Sequence, residues 1–497
     1  MEHPTTQMNY EVVIGLEIHV QLLTASKMFC ACAVRFGAPP NTLTCPVCLG
    51  LPGSLPVLNG RAVALGLRTA LALGCTVHPV SRFHRKNYYY PDLPKNYQIT
   101  QYQYKVHPPL ATGGTLALNP DAAGAVRIRR VHLEEDTGRL VHQEQDGRVV
   151  ASLIDYNRSG VPLMEIVTEP DLRSPADARR FVARLRAVLQ TIEVSSGRLE
   201  EGTLRCDANV SLRPAPSGAM PRAGGGELGT RTEVKNMNSL RAVERALAFE
   251  ADRQERLLAS GGRVIQETRH WDERRGVTFA SRFKEEAQDY RYFPEPDLVP
   301  IAVDPTVLDA ARAAMPELPD AKRRRYMERF GLSAYDAEQL TSSGSLAAFF
   351  EDVVALHPQP KVVSNWLTGD VAAFLNAAAK EIEDLPITPV HLAELLRLVD
   401  EGTISGRTAK DVLVEMLERG ERPGAIVQRG GLRQISDAAE LAAAVDDVLA
   451  AQPGPVADYR AGKQQALTFL VGQVMRKTRG RANPELVHRL LRERLSP

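Results

Sequence analysis

Residues 11–22 read E-V-V-I-G-L-E-I-H-V-Q-L, from Glu11 to Leu22. Val12, Ile14, Leu16, Ile18, Val20 and Leu22 fall on every second position. A strand sends alternate side chains to opposite faces, so these six share one buried face. Glu17, His19 and Gln21 share the other, beside Gly15. A carboxylate and an imidazole two residues apart on one strand are fixed in direction and within reach of one ion. The pair suits Mg²⁺ or another divalent cation bound through oxygen and nitrogen. The plain alternative is an edge strand with a solvated polar face. The choice depends on whether the rest of the chain supplies further ligands.

A chain of 497 residues exceeds one ordinary core, and two to four domains are expected. Hydrophobic content of 44% and charged content of 24% are those of a globular protein. The start, M-E-H-P-T-T-Q-M-N-Y, has no basic region followed by an apolar run, so no signal peptide is expected. The most apolar stretch, Ala62 to Val77, is interrupted by Arg68 and is too short to span a bilayer. A cytoplasmic protein without membrane attachment is the expectation. Net charge is +1, so nucleic-acid binding would have to come from local patches. One lies at the end: residues 459–497 hold nine Lys/Arg against Glu485 and Glu493.

Four of the six cysteines cluster behind the opening strand. Cys30, Cys32, Cys45 and Cys48 form C-x-C…C-x-x-C, with Pro46 and Gly50 supplying a turn. Two close pairs on turns can converge on one tetrahedral Zn²⁺. Four cysteines leave no open coordination position, so the zinc would be structural.

Other segments carry acids, rings and cations. Residues 83–104 interleave Arg85, Lys86 and Lys95 with Tyr88, Tyr89, Tyr90, Tyr97, Tyr102 and Tyr104. Such rings can stack on bases beside phosphate-binding cations, or form an aromatic mini-core with a basic rim. If Val126 to His142 is a strand, His132, Glu134 and Asp136 share one face and Glu135 opposes them. After the turn Gly160-Val161-Pro162, Leu163, Glu165 and Val167 face one way, which sets Glu165 among apolar neighbours. An acid there needs a compensating cation. Ser174-Pro175-Ala176-Asp177 predicts a helix start, and Ser239 to Ser260 predicts a second long helix closed by Gly261-Gly262. Between them Asp207, Asn209 and Ser211 share a strand face. Gly224-x-Gly226-x-x-Gly229 matches a dinucleotide fingerprint in form only, because no strand precedes it and no helix start follows. From Pro305 to about Gly424 helical periodicity dominates. Arg419–Gly431 reads as a hinge or turn-rich linker before a small basic helical unit.

Several motifs are long enough to carry a resemblance. G-L-E-I-H-V-Q-L, R-K-N-Y-Y-Y-P-D-L-P-K-N-Y-Q-I, H-L-E-E-D-T-G, N-R-S-G-V-P-L-M-E-I-V-T-E-P-D, L-R-C-D-A-N-V-S-L-R-P and D-Y-R-Y-F-P-E-P-D-L stand here in that order. Over essentially the whole chain the sequence resembles the B subunits of the aspartyl/glutamyl-tRNA amidotransferases. That resemblance implies an ATP- and Mg²⁺-dependent ligase acting on misacylated tRNA, Glu-tRNA(Gln) or Asp-tRNA(Asn). The side-chain carboxyl is phosphorylated, and ammonia then displaces phosphate. It also implies a three-subunit complex, in which an amidase (glutaminase) A subunit supplies the ammonia and a small C subunit clasps the other two.

By the same resemblance, Glu17, His19, Glu134 and Glu165 would hold Mg²⁺ and the ATP phosphates, with Glu135 as a further candidate. Lys86, Asn87, Asn157, Arg158, Asp207, Asn209, Lys235 and Asn236 would line the nucleotide and acceptor-end pocket. The expected fold class is α+β. A mixed or antiparallel-sheet catalytic cradle domain (1–298) precedes an all-helical linking domain (299–425) and a basic helical tail domain binding tRNA (426–497). A non-catalytic, zinc-containing tRNA-binding scaffold is the alternative; it would need the tail and the tyrosines but not Glu17, His19 and Glu165. A metal-dependent hydrolase would need an open catalytic metal site without ATP.

Overall fold

The computed structural model describes residues 10–102, 107–119, 121, 124–145, 148–215, 227–280, 290–378, 380–435, 438–478 and 481–495. Tyr104, Gly224, Gly226, Asp289 and Arg479, to which the sequence reading gave a place, lie outside them.

The opening segment is the strand Tyr10–Gln21, and it is central rather than an edge. On one side it pairs antiparallel with Leu204–Pro214 along its length, from Tyr10 opposite Pro214 to Val20 opposite Leu204. On the other it pairs antiparallel with Pro162–Thr168, with Glu17 opposite Val167 and His19 opposite Glu165. Pro162–Thr168 pairs in turn with Ala125–Glu135, and Glu165 stands opposite His132. Among the described residues the sheet has thirteen strands. It is mixed as expected, because Thr232–Lys235 and Glu267–Asp272 run parallel.

The apolar parity decides where helices go. Ile14, Leu16, Ile18 and Val20 are at most 1% exposed. They share one core with Phe181, Val182, Leu185 and Leu189 of the helix Pro175–Thr191 and with Val243, Ala246 and Leu247 of the helix Leu240–Ala259. Burying each large apolar side chain contributes about 1.5–3 kcal/mol. Ser174 Oγ accepts from the Asp177 N–H at 3.0 Å, with Pro175 at the first helical position, and Ser239 Oγ caps the second helix through Ala242 N–H. With helices on the apolar face, the opposite face is left for Glu17 and His19.

Two details differ from the sequence reading. The strand beginning at Ala125 ends at Glu135, so Asp136 lies in a loop before the separate strand Arg139–Gln145. Glu165 shares its parity with Leu163 and Val167, yet its neighbours across the strands are His19 and His132, not apolar groups.

The chain folds as two compact units, Met1–Lys322 and Arg323–Pro497. The first unit runs past the expected boundary at 298, because Leu308, Met315 and Leu318 pack on its core. The second carries two apolar clusters, one from Tyr326 to Leu432 and one from Ile435 to Leu495. The supposed linker at Arg419–Gly431 is instead the helix Pro423–Gly430, whose Ile426 and Val427 are buried in the first of these clusters. Gly420 and Gly431, both left-handed, end the helices before and after the turn, and Pro423 starts the second helix. Leu432, past the expected boundary at 425, packs on that same cluster. Among the described residues no helix is long and apolar enough to cross a membrane.

Candidate active site

Strand register assembles the site. His19 Nε2 stands 3.4 Å from Glu165 Oε2 and 3.7 Å from Glu134 Oε1. One donor atom from each of the three lies within 4.8 Å of the others, a spacing that could hold one cation. The separations are too long for good hydrogen bonds. Donors side by side around an octahedral ion of 2.1 Å bond length sit about 3.0 Å apart, so a small contraction would close the three on a metal. Two carboxylates suit Mg²⁺ or Mn²⁺, while an imidazole nitrogen is the commoner ligand of Zn²⁺ or Fe²⁺.

Residues that the sequence reading did not assign complete the cluster. His132 Nε2 is 3.5 Å from Glu165 and 3.7 Å from Glu134. Arg130 donates from Nη2 to Glu165 Oε1 at 2.9 Å and from Nε to His132 Nδ1 at 3.3 Å. Thr100 Oγ1 donates to Glu134 Oε2 at 3.0 Å. The signal for Arg130 and His132 was the same two-residue parity that singles out Glu134.

Burial would raise the carboxyl pKa of Glu165, but His132, His19 and Arg130 hold it well below the usual carboxylate range. Burial likewise opposes ionisation of Glu134, and His132 and His19 outweigh both burial and the charge of Glu165. Burial would lower the His19 pKa, yet the facing carboxylates of Glu165 and Glu134 raise it, against the opposing charge of Arg205. The two acids are thus held in their ionised form by the histidines and Arg130 around them.

Glu17 stands one row along, opposite Asp207 and Val167, and accepts from Asn209 Nδ2 at 3.3 Å. Its pKa is raised by burial and by Glu165 and Glu233, against Lys235 and His19. Lys235 Nζ pairs with Asp207 at 2.5 Å and Glu233 at 2.9 Å. His19, Arg205, Asp207, Lys235, Asn236 and His270 line a cleft of about 350 Å³ beside the acid cluster. Arg205, also unassigned from the sequence, reaches Asp136 at 3.0 Å, and Asp136 further holds Gln21 (3.0 Å) and Arg158 (3.6 Å).

The other named residues have the following neighbours in the structure. Glu135 faces away from the cluster and pairs with Lys95 in a separate cavity of about 210 Å³, beside Cys30 and Cys48. Gly50 is left-handed there, and a Cβ on it would collide with the Lys95 side chain. Asn87 donates to Tyr290 O and Arg291 O, at 3.2 and 2.9 Å, fastening a strand end. Asn157 holds the cysteine loop through Leu43 N–H at 2.8 Å and Pro39 O at 2.7 Å. Arg158 donates to Thr137 O and Gly138 O. Asn236 donates to Trp271 O.

The tyrosine stretch is partly self-packed. Tyr102 stacks on Tyr292 with centroids 4.1 Å apart, and Tyr290 packs edge-on to both Tyr88 and Tyr292. Lys86 Nζ lies 4.9 Å from the Tyr290 ring centroid. Tyr89 is 72% exposed and free to meet a ligand.

The sulfurs of Cys30, Cys32, Cys45 and Cys48 all lie within 4.8 Å of one another. Cys45 and Cys48 sulfurs are 3.9 Å apart. A tetrahedral Zn–S length of about 2.3 Å requires sulfurs roughly 3.8 Å apart, so the residues fit a structural zinc ion.

The first unit thus combines a mixed sheet, a buried acid–histidine cluster and a cysteine knuckle, and the second is helical. Residues 12–309 match the GatB/GatE catalytic domain family and residues 348–495 match the GatB domain, so the chain belongs to the GatB family. It is similar to the B subunit of the aspartyl/glutamyl-tRNA(Asn/Gln) amidotransferase of Moorella thermoacetica, at 58% identity over 98% of this chain and 100% of the relative. The protein of that name from Carboxydothermus hydrogenoformans is 52% identical over 98% and 99% of the two chains. The one from Geotalea uraniireducens is 49% identical over 98% and 100%.

Proposed function

We propose that this chain is the component of a tRNA-dependent amidotransferase that activates and amidates the acyl group of Glu-tRNA(Gln), Asp-tRNA(Asn) or both. The observation that carries the reading is the meeting of His19, Glu134 and Glu165 across three paired strands, in a chain that matches its amidotransferase relatives end to end. A non-catalytic scaffold would leave that buried acid cluster without a use.

A carboxylate is a poor electrophile toward ammonia. Transfer of the ATP γ-phosphoryl group to the side-chain carboxyl gives ADP and an acyl phosphate; ammonia then attacks the carbonyl and phosphate departs. Such chemistry asks the protein mainly for positioning and charge neutralisation. His19, Glu134 and Glu165 would hold Mg²⁺, with Glu17 adjacent, and the ion would neutralise phosphate charge. Arg130 and His132 keep the two acids ionised and fixed. Arg205, Lys235 and Asn236 line the neighbouring cleft, where phosphate or the acceptor end would lie. A zinc ion on Cys30, Cys32, Cys45 and Cys48 would brace the loop behind the strand.

Ammonia must come from elsewhere. Cys75 and Cys206 are buried, and burial pushes both thiols up, to about 12 for Cys75, so neither is an activated nucleophile. That supports a glutaminase partner, the A subunit, with a small C subunit completing a cytoplasmic complex. Exposed cations in the second unit (Arg460, Lys463, Arg476, Arg489) would meet tRNA phosphates.

The test is transfer of labelled γ-phosphate by the assembled complex to charged tRNA, run with both substrates. Label transfer to at least one is expected; none to either overturns the reading.

A further inference from the structure

Lys27 is fully buried, with no exposed surface. Its backbone N–H donates to Cys32 O at 2.9 Å, which locks it against the cysteine loop. Its Nζ donates to Cys48 Sγ at 3.7 Å and to Tyr156 O at 3.3 Å. Among the described residues its partners are a sulfur and a carbonyl, and no carboxylate pairs with it. A buried ammonium costs several kcal/mol unless an opposite charge sits beside it. A divalent cation on four cysteine thiolates carries a net charge of −2, and would supply that charge where the lysine points.

We infer that Lys27 is a positioning residue of the cysteine metal centre. Its ammonium hydrogen-bonds the Cys48 sulfur, offsets half of the excess negative charge and ties the centre to the turn at Tyr156–Gly160. The tie is reinforced on both sides. Ser159 Oγ donates to Cys48 O at 3.3 Å, and Met28 N–H donates to Gly160 O at 2.7 Å. A Cβ on Gly160 would lie 3.5 Å from both Lys27 Cδ and Cys48 Cβ, so the turn is packed onto the centre. Two residues on, Pro162 opens the strand that carries Glu165. Partners outside the ligand set that orient metal ligands are worth about 10–100-fold in affinity.

The inference rests on the cysteine set holding zinc, which is part of the reading above, and the experiment separates the two. Zinc content and the rate of zinc release to a chromogenic chelator are measured on the full-length chain, for wild type, Lys27→Met and Lys27→Arg. Wild type is expected to hold zinc. Lys27→Met, close in volume but uncharged, is expected to release it roughly 10–100-fold faster. Lys27→Arg, which keeps charge and donors, is expected to fall between them. Should Lys27→Met fail to fold, Lys27→Gln carries the same expectation. Zinc-loaded wild type with unchanged release from the uncharged variant overturns the role of Lys27 alone. Wild type without zinc overturns the metal reading as well.

Discussion

His19 and Glu165 stand directly opposite each other on adjacent antiparallel strands, with Nε2 and Oε2 3.4 Å apart. Register places this pair, since a slip of one residue would turn one of the two into the helix-covered core. Replacing His19 by alanine removes one donor and leaves the sheet pairing intact. Phosphoryl transfer to charged tRNA should fall by at least the roughly 100-fold that loss of an outer partner can cost. tRNA affinity, read by filter binding, should stay near wild type. Normal transfer by the variant would remove His19 from the site.

Arg130 offers a subtler change. It contacts Glu165 and His132 and touches no proposed metal donor position other than through them. Arg130→Met leaves Glu165 buried without its nearest full positive charge, so the acid holds its proton more readily. The Mg²⁺ concentration needed for half-maximal phosphoryl transfer should rise roughly 10–100-fold, with the circular dichroism spectrum unchanged. An unaltered Mg²⁺ requirement would show that Glu165 does not depend on Arg130.

Side-chain parity was legible in the sequence because it is local: period two alone put Glu17 and His19 on one face and Glu134 apart from Glu135. The neighbours were not legible, because they follow from pairing between segments distant in the chain, 35 residues apart for Arg130 and Glu165 and more for His19 and Glu165. Hence Glu165 looked like an acid among apolar residues until His19 and His132 were set on either side of it. Arg130, His132 and Arg205 went unassigned for the same reason. Asn87 and Asn157 were placed in the pocket by resemblance alone, and their hydrogen bonds to backbone groups are a demand that sequence does not display. The stretch around Pro423 failed differently. Glycine and proline punctuate both linkers and helix ends, and only the burial of Ile426 and Val427 decides between them.

Acid stability should report on Glu250, far from any proposed ligand. This fully buried carboxylate accepts from Arg253 at 2.6 and 2.9 Å, Gln254 at 3.0 Å and Thr278 at 3.0 Å. Burial raises its pKa, but these bonds and the charge of Arg253 hold it below the usual value. A depressed folded pKa contributes stability above the unfolded value of about 4.3, and that contribution fades as pH falls through the folded value. Glu250→Gln should cost about 1.5–3 kcal/mol at pH 7, since the variant forgoes hydrogen bonds to a charged group. The gap in melting temperature between wild type and variant should narrow below about pH 4.3. A gap independent of pH would mean that folding does not lower the Glu250 pKa.

The last prediction concerns the C-terminal helices. Residues 459–497 are strongly basic, but the segment from residue 433 onward holds ten Lys/Arg against seven Asp/Glu, a net charge of +3. Lys463, Lys477 and Arg494 are each paired with an acid of the same unit: Asp458, Asp447 and Asp446. Exposed surface pairs of this kind are weak, about 0–1 kcal/mol, and exchange readily for phosphate. Truncation before Ala438 removes the whole third apolar cluster but for Ile435, so the helices in front of it keep their own core. tRNA affinity should drop, and the slope of log affinity against log salt should flatten by roughly 0.7–0.9 for each phosphate that the truncated chain no longer neutralises. Both are read by anisotropy at a series of salt concentrations. An unchanged slope would assign tRNA binding to the residues that the truncated chain keeps, of which Lys86 and the exposed Tyr89 would be the next to replace.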